Sequence, residues 1–124
     1  MAEPDTLPER DQALLLDMLI AACDAQTFIQ GMGEQDFLAS RLHQNAVIRS
    51  LEIIGEAAGK VSVEVRERLP ELRWRDMTGL RHRLIHGYGD VRMDLVWDVA
   101  KNQLPRLIKT LEQTLPHRNA APEN

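Results

Sequence analysis

The eight residues Arg81-His82-Arg83-Leu84-Ile85-His86-Gly87-Tyr88 gather guanidinium, imidazole and phenol groups. A guanidinium is a forked, permanently charged donor that suits a phosphate. An imidazole titrates near neutral pH and can take or give a proton. Gly87 follows the apolar pair Leu84 and Ile85 and reads as a helix stop. His86 and Tyr88 would then emerge at a helix end, where side chains can meet a ligand.

Spacing limits how these groups can cooperate. Arg81 and His86 are five positions apart, which on an unbroken helix separates them by about 140° in azimuth. Two side chains so placed do not converge on one atom by themselves. They converge if the helix ends at Gly87, or if a second copy brings its own motif alongside across a twofold axis. The plainer alternative is an exposed arginine and a capping histidine, both mildly favourable at a helix C-terminus.

His82 and His86 are four apart and share a helix face, as two zinc ligands would. A third ligand has only Asp90 or Asp94 to come from, and no glutamate follows His82 as a metalloprotease helix needs. No metal and no other cofactor is expected. Tyr88, the single tyrosine, stands between two glycines, so its hydroxyl is reachable. It reads as an aromatic lid, a ligand contact or a modified hydroxyl. Glu52 and Glu56 read either as a solvated face or as carboxylates that orient the motif arginines. Trp74 and Trp97 read as packing residues at helix edges, and His43 and His117 as solvent-facing.

The elements that must hold this stretch are helical. From Glu9 to Gln30, Leu15, Met18, Ala22, Ala25 and Ile29 recur at spacings of three and four, one face of a helix. Asp5 or Thr6 is the expected cap, with Pro8 in the first turn. Gly31 and Gly33 end this helix. A second helix is expected from Glu34 to Lys60, opened by Phe37, Leu38 and Leu42 and continued by Val47, Leu51, Ile54, Ala58 and Val61. Its small residues Gly55, Ala57 and Ala58 would let a neighbour approach closely. Ser62 caps a short helix over Val63 to Leu69. The motif helix spans Arg75 to His86, with Met77, Leu80 and Leu84 on its apolar side. The last helix spans Met93 to Leu115, and Pro105 within it removes one backbone hydrogen bond and should bend it.

No alternating strand pattern or repeat interrupts this series. The expected fold is all-α, a bundle of four main helices plus a short one. Residues 1–8 are read as a disordered lead-in, 9–115 as the domain and 116–124 as a flexible tail.

The totals agree with one soluble domain. The chain has 124 residues, 44% apolar and 27% charged, with a net charge of −4. That charge argues against coating nucleic acid by bulk attraction but leaves room for a local basic site. Arg73, Arg75, Arg81, Arg83 and Arg92 supply one in a window with few acids. The lone Cys23 cannot form an internal disulfide and reads as a buried structural thiol. No signal peptide and no apolar run of about 20 residues is seen, so the cytoplasm is the expected compartment.

The run from Trp74 to Tyr88 resembles the signature of the HepT-type toxins of the HEPN superfamily. The segments Glu52 to Ala58 and Val96 to Pro105 resemble that family too, and the likeness covers about residues 10–115. The resemblance implies a HEPN-like helical bundle that forms a homodimer, with the Arg-x4-His motifs of both chains meeting in a cleft. It implies metal-independent cleavage of RNA, with His86 as general acid or base and Arg81 stabilising charge on the phosphoryl oxygens. It implies a partner, a minimal nucleotidyltransferase antitoxin that silences the toxin by AMPylation of Tyr88. Where the family commonly has asparagine this chain has His82, assigned with Glu56 to a supporting role. The alternative is a non-catalytic helical module that presents substrate to a nucleotidyltransferase.

Overall fold

The computed structural model describes residues 6–85 and 92–116. Helix α1 (Glu9–Phe28) carries the first apolar stripe. Leu15, Met18, Ala22 and Ala25 are fully buried and Ile29 is nearly so. Gly31, at φ 81°, turns the chain out of this helix. No side chain caps α1. Pro8 occupies the cap position, not the first turn, and its carbonyl accepts from the Gln12 N–H at 2.9 Å. The Gln12 side-chain amide donates back to the Leu7 carbonyl at 2.7 Å. Leu7, within the expected lead-in, is thereby folded into the core.

The single helix expected from Glu34 to Lys60 is two helices, α2 (Glu34–Leu38) and α3 (Arg41–Lys60). Ser40 makes the break. Its backbone is extended and its hydroxyl accepts from the His43 N–H, an N-cap that starts a new helix. The same hydroxyl lies 2.6 Å from His43 Nδ1, so His43 is engaged and half-buried where a solvent-facing ring was expected. The break also rotates Leu42 outward, to 75% exposure, out of the stripe it was expected to open. Beyond it the stripe holds: Val47, Leu51, Ile54, Ala58 and Val61 are all buried. Helix α4 (Val63–Arg68) starts as expected on Ser62, whose hydroxyl accepts from the Val65 N–H.

One tie joins the start of the chain to this corner. Asp11 is 3% exposed. Its carboxylate accepts from the Ser62 backbone N–H and from the Ser62 hydroxyl, both at 2.9 Å. Beside it, Arg10 donates to the Lys60 carbonyl at the end of α3.

Helix α5 (Trp74–Ile85) lies against α3. The last helix is not continuous. Helix α6 (Met93–Asp98) leads into a π turn (Val99–Gln103) and then α7 (Leu104–Thr114). In the π turn the Leu104 N–H donates to the Val99 carbonyl, five residues back. Pro105 sits just after it, in the first turn of α7. Proline has no N–H to give and its ring crowds the carbonyl four residues earlier. The widened turn relieves both, so the disturbance expected at Pro105 is absorbed one turn upstream.

The result is an all-α HEPN-like bundle, with no strand among the described residues. Helix α1 packs on α3 and α7, and α3 packs on α5, while α2 bridges α3 and α6. Phe37 of α2, fully buried, meets Trp97 of α6 with ring centroids 5.5 Å apart. Burying each such large side chain stabilises the fold by roughly 1.5–3 kcal/mol.

Candidate functional site

Helix α5 delivers the motif, and its first turn is firmly anchored. The Trp74 indole N–H donates to the Leu69 carbonyl at 2.9 Å. The Thr78 hydroxyl folds back onto the carbonyls of Trp74 and Arg75, each at 3.1 Å. Met77 is half-buried against the core, as expected of the apolar side. Where α5 crosses α3 the backbones come close: a methyl added at Gly59 would stand 3.9 Å from Thr78 Cγ2. The small residues Gly55, Ala57 and Ala58 of α3 are all buried.

Arg81 and His82 belong to the last turns of α5. Their side chains, and all of His86, Tyr88 and Asp90, lie outside the described residues, as does His117. Beyond the motif the chain resumes at Arg92, which caps α6 by position. Arg92 grips Asp94 with two hydrogen bonds, of 2.7 and 3.3 Å. That grip raises the Arg92 guanidinium above its ordinary range and holds the Asp94 carboxyl below its own. Asp94, one of two carboxylates considered as a third zinc ligand, is thus committed to an arginine.

The basic window is partly neutralised in the same way. Arg73 pairs with Asp76 at 2.9 Å, whereas Arg75 is exposed. Glu56 is half-exposed and pairs with Lys60 at 3.7 Å, and Glu52 pairs with Arg49 at 3.5 Å. Among the described residues each glutamate thus has a cation of its own helix as partner. Trp74 and Trp97 are packing residues, as expected.

Cys23 departs from expectation: it is exposed. It follows the buried pair Ala21 and Ala22 but is rotated off their face. Partial burial, then the nearby Glu112 and Asp24, push its thiol up. A thiol held protonated is a poor nucleophile.

One opening was not read from the sequence. Among the described residues α5 and α7 make no extended contact with each other, although both belong to the bundle. Between them lies a seam of about 350 Å³. Leu51 and Ile54 of α3 form its floor with Leu104 and Leu107 of α7. Arg73, Asp76 and Met77 border it on one side, and Gln103, Arg106 and Thr110 on the other. The available signal was the run Val96, Ala100, Leu104, two successive steps of four ahead of Pro105. Such steps overshoot an α-helical face and mark a wider turn.

Residues 18–114 match the family described as "Ribonuclease HepT-like". The chain is 34% identical over 119 residues to "Putative RNase MJ0127" of Methanocaldococcus jannaschii, covering 95% of this chain and 98% of that one. It is 36% identical over 107 residues to "Putative RNase MJ1380" of the same organism, covering 86% and 98%. It is 41% identical over 73 residues to "Probable ribonuclease HepT" of Thermococcus cleftensis, covering 59% and 66%. No solved structure gives a significant match. No helix among the described residues is long and apolar enough to cross a membrane. With a family match over most of its length and helices that fit it, the chain belongs to the HepT-like ribonucleases, a family whose members are endoribonucleases by class.

Proposed function

We propose that this chain is the toxin of a type II HEPN/MNT toxin–antitoxin pair, an endoribonuclease that cuts RNA without a metal through a site shared between two copies. The observation that carries this reading is the family match over residues 18–114, together with Arg81 in the last turns of α5 and with His86 and Tyr88 shortly after it in the sequence. His86 takes the proton of a ribose 2′-hydroxyl. The freed oxygen attacks the adjacent phosphorus, the bond to the 5′ oxygen breaks, and that oxygen leaves with a proton given by an imidazolium, that of His86 in one copy or the other. Arg81 stabilises the charge that builds on the phosphoryl oxygens. The products are a 2′,3′-cyclic phosphate and a 5′-hydroxyl. His82 and Glu56 support the pair. Arg81 and His86 are five positions apart in the sequence, about 140° apart on an unbroken helix, so the second copy supplies the missing half of the cleft.

Control falls to a minimal nucleotidyltransferase antitoxin that transfers AMP to the Tyr88 hydroxyl. A bulky anion two residues from His86 repels and blocks an incoming phosphate.

The test is cleavage of RNA in excess chelator by wild type and by His86→Ala. Wild type should cut and leave cyclic-phosphate ends, and His86→Ala should lose about two to four orders of magnitude in rate. Equal rates, or cleavage abolished by the chelator, would overturn the mechanism. Incubation with the partner and ATP should add AMP mass to wild type and not to Tyr88→Phe. Addition to both would remove Tyr88 from the scheme. Light scattering showing a monomer at working concentration would remove the shared cleft. A partner-free protein that neither slows growth nor cuts RNA would favour the non-catalytic module.

A further inference from the structure

We infer that the seam between α5 and α7 is a subsite for one nucleotide of the RNA strand, with Arg106 holding its phosphate and the aliphatic floor carrying its base. The inference rests on the ribonuclease reading for the identity of the ligand. Its own support is the chemistry of the seam.

The volume, about 350 Å³, lies at the small end of the range of ligand clefts. The floor of Leu51, Ile54, Leu104 and Leu107 is wholly aliphatic and suits the face of a planar base. The rim is polar and differentiated. On the α5 side Arg73 and Asp76 neutralise each other at 2.9 Å. On the opposite side Arg106 is exposed and has no carboxylate partner among the described residues. The one remaining acid of the seam is Glu71, in the connection before α5. Gln103 is held from behind: its amide nitrogen donates to Asp98 Oδ2 at 3.2 Å, and Asn102 steadies the other carboxylate oxygen at 2.7 Å. That leaves the Gln103 amide oxygen as an oriented acceptor for a base edge.

A helix from a second copy fits this rim poorly. Helix docking needs apolar borders as well as an apolar floor, and here each border carries charged or amide groups, Arg73 and Asp76 on one and Gln103 and Arg106 on the other. A nucleotide fits it, being apolar on its base faces, polar at its base edge and anionic at its phosphate. The seam is also in the right place. Met77 borders it, and Arg81 follows Met77 by four residues, about 6 Å along α5. A nucleotide in the seam would be a close neighbour of the scissile phosphate.

The experiment uses the full-length protein and a single-stranded RNA tetranucleotide methylated at every 2′ oxygen, which cannot be cut by 2′-hydroxyl attack. Methyl resonances of Leu51, Ile54 and Leu107 should shift on titration. Arg106→Glu should weaken binding about tenfold at low salt, with Arg106→Lys recovering most of it. Unmoved methyl resonances at saturation would overturn the subsite, as would unchanged affinity in Arg106→Glu. A change of molar mass in Arg106→Glu by light scattering, with affinity unchanged, would make the seam a subunit interface and overturn it too. If wild type binds the tetranucleotide in the seam yet cuts no RNA, the cleavage reading falls and the subsite stands. If wild type cuts RNA while Arg106→Glu binds normally, the subsite alone falls.

Discussion

On the α1–α3 side of the bundle several of the buried residues are small: Ala21, Ala22, Ala25, Ala57 and Ala58 are each at most 5% exposed. On the α5–α7 side the residues that border the gap include Arg73, Asp76, Gln103 and Arg106. The first side is closed because alanine lets two helix backbones approach and loses no side-chain freedom on burial. The second stays open because the side chains that α5 and α7 set beside it are largely charged or amidic, while Met77 seats α5 on the core. The helix that carries the motif is thus held along one face by a rigid neighbour, and the adjoining face is left for a ligand. Stability and chemistry are assigned to opposite sides of α3.

Five experiments would break or sharpen that division. The largest effect is expected from the motif: Arg81→Ala should cut the rate of RNA cleavage by about two to four orders of magnitude, read from initial rates. On the closed side, Leu15→Ala should cost roughly 2–5 kcal/mol in urea unfolding, because its side chain is wholly enclosed. Ala22→Leu should cost about 1–3 kcal/mol by forcing α1 away from its neighbours. A null result in either would mean that this side is less tightly packed than its burial implies. Asp11→Ala comes next. It strands the Ser62 N–H and hydroxyl and should cost about 1–3 kcal/mol, with cleavage by the surviving folded protein unchanged. On the open side, Arg106→Glu should leave unfolding within about 0.5 kcal/mol of wild type, whatever it does to RNA affinity. A larger loss would show that the seam's rim serves the fold.

The smallest effect concerns Cys23. Its thiol is pushed up by partial burial and by Glu112 and Asp24. Alkylation by iodoacetamide should therefore be slow at neutral pH and accelerate as pH rises through the thiol's raised range. Asp24→Asn should shift that acceleration to lower pH. An unshifted profile would remove Asp24 from the account.

What was legible in the sequence follows from the range of each interaction. Stripes at spacings of three and four encode local faces, and they placed the buried residues of α1, α3 and α7 almost without error. The N-cap at Ser62 was equally local and equally readable. The break at Ser40 was harder. Leu38 and Leu42 continue the apolar count across it, and only the serine hydroxyl reveals that the chain turns there. The tie between Asp11 and Ser62 spans 51 positions and has no periodic trace. Cys23 was misread because a helical segment is not a helical face. Of the candidate site, the motif and the helix that bears it were legible. The seam was not, since it depends on two distant helices failing to meet.

The π turn has one further consequence. It inserts one residue beyond the α-helical count between α6 and α7, and each residue of an α-helix advances the rotation by about 100°. Val96, Ala100 and Leu104 all remain buried only because that excess delays the winding. Removing a single residue from 99–103 would turn α7 against α6 by roughly a quarter circle. Trp97 and Phe37 would stay in place while Leu107 and Leu111 swung toward water. The orientation of Arg106 is therefore a matter of phase, set by one supernumerary residue, whereas Gln103 is held in addition by its own hydrogen bond to Asp98.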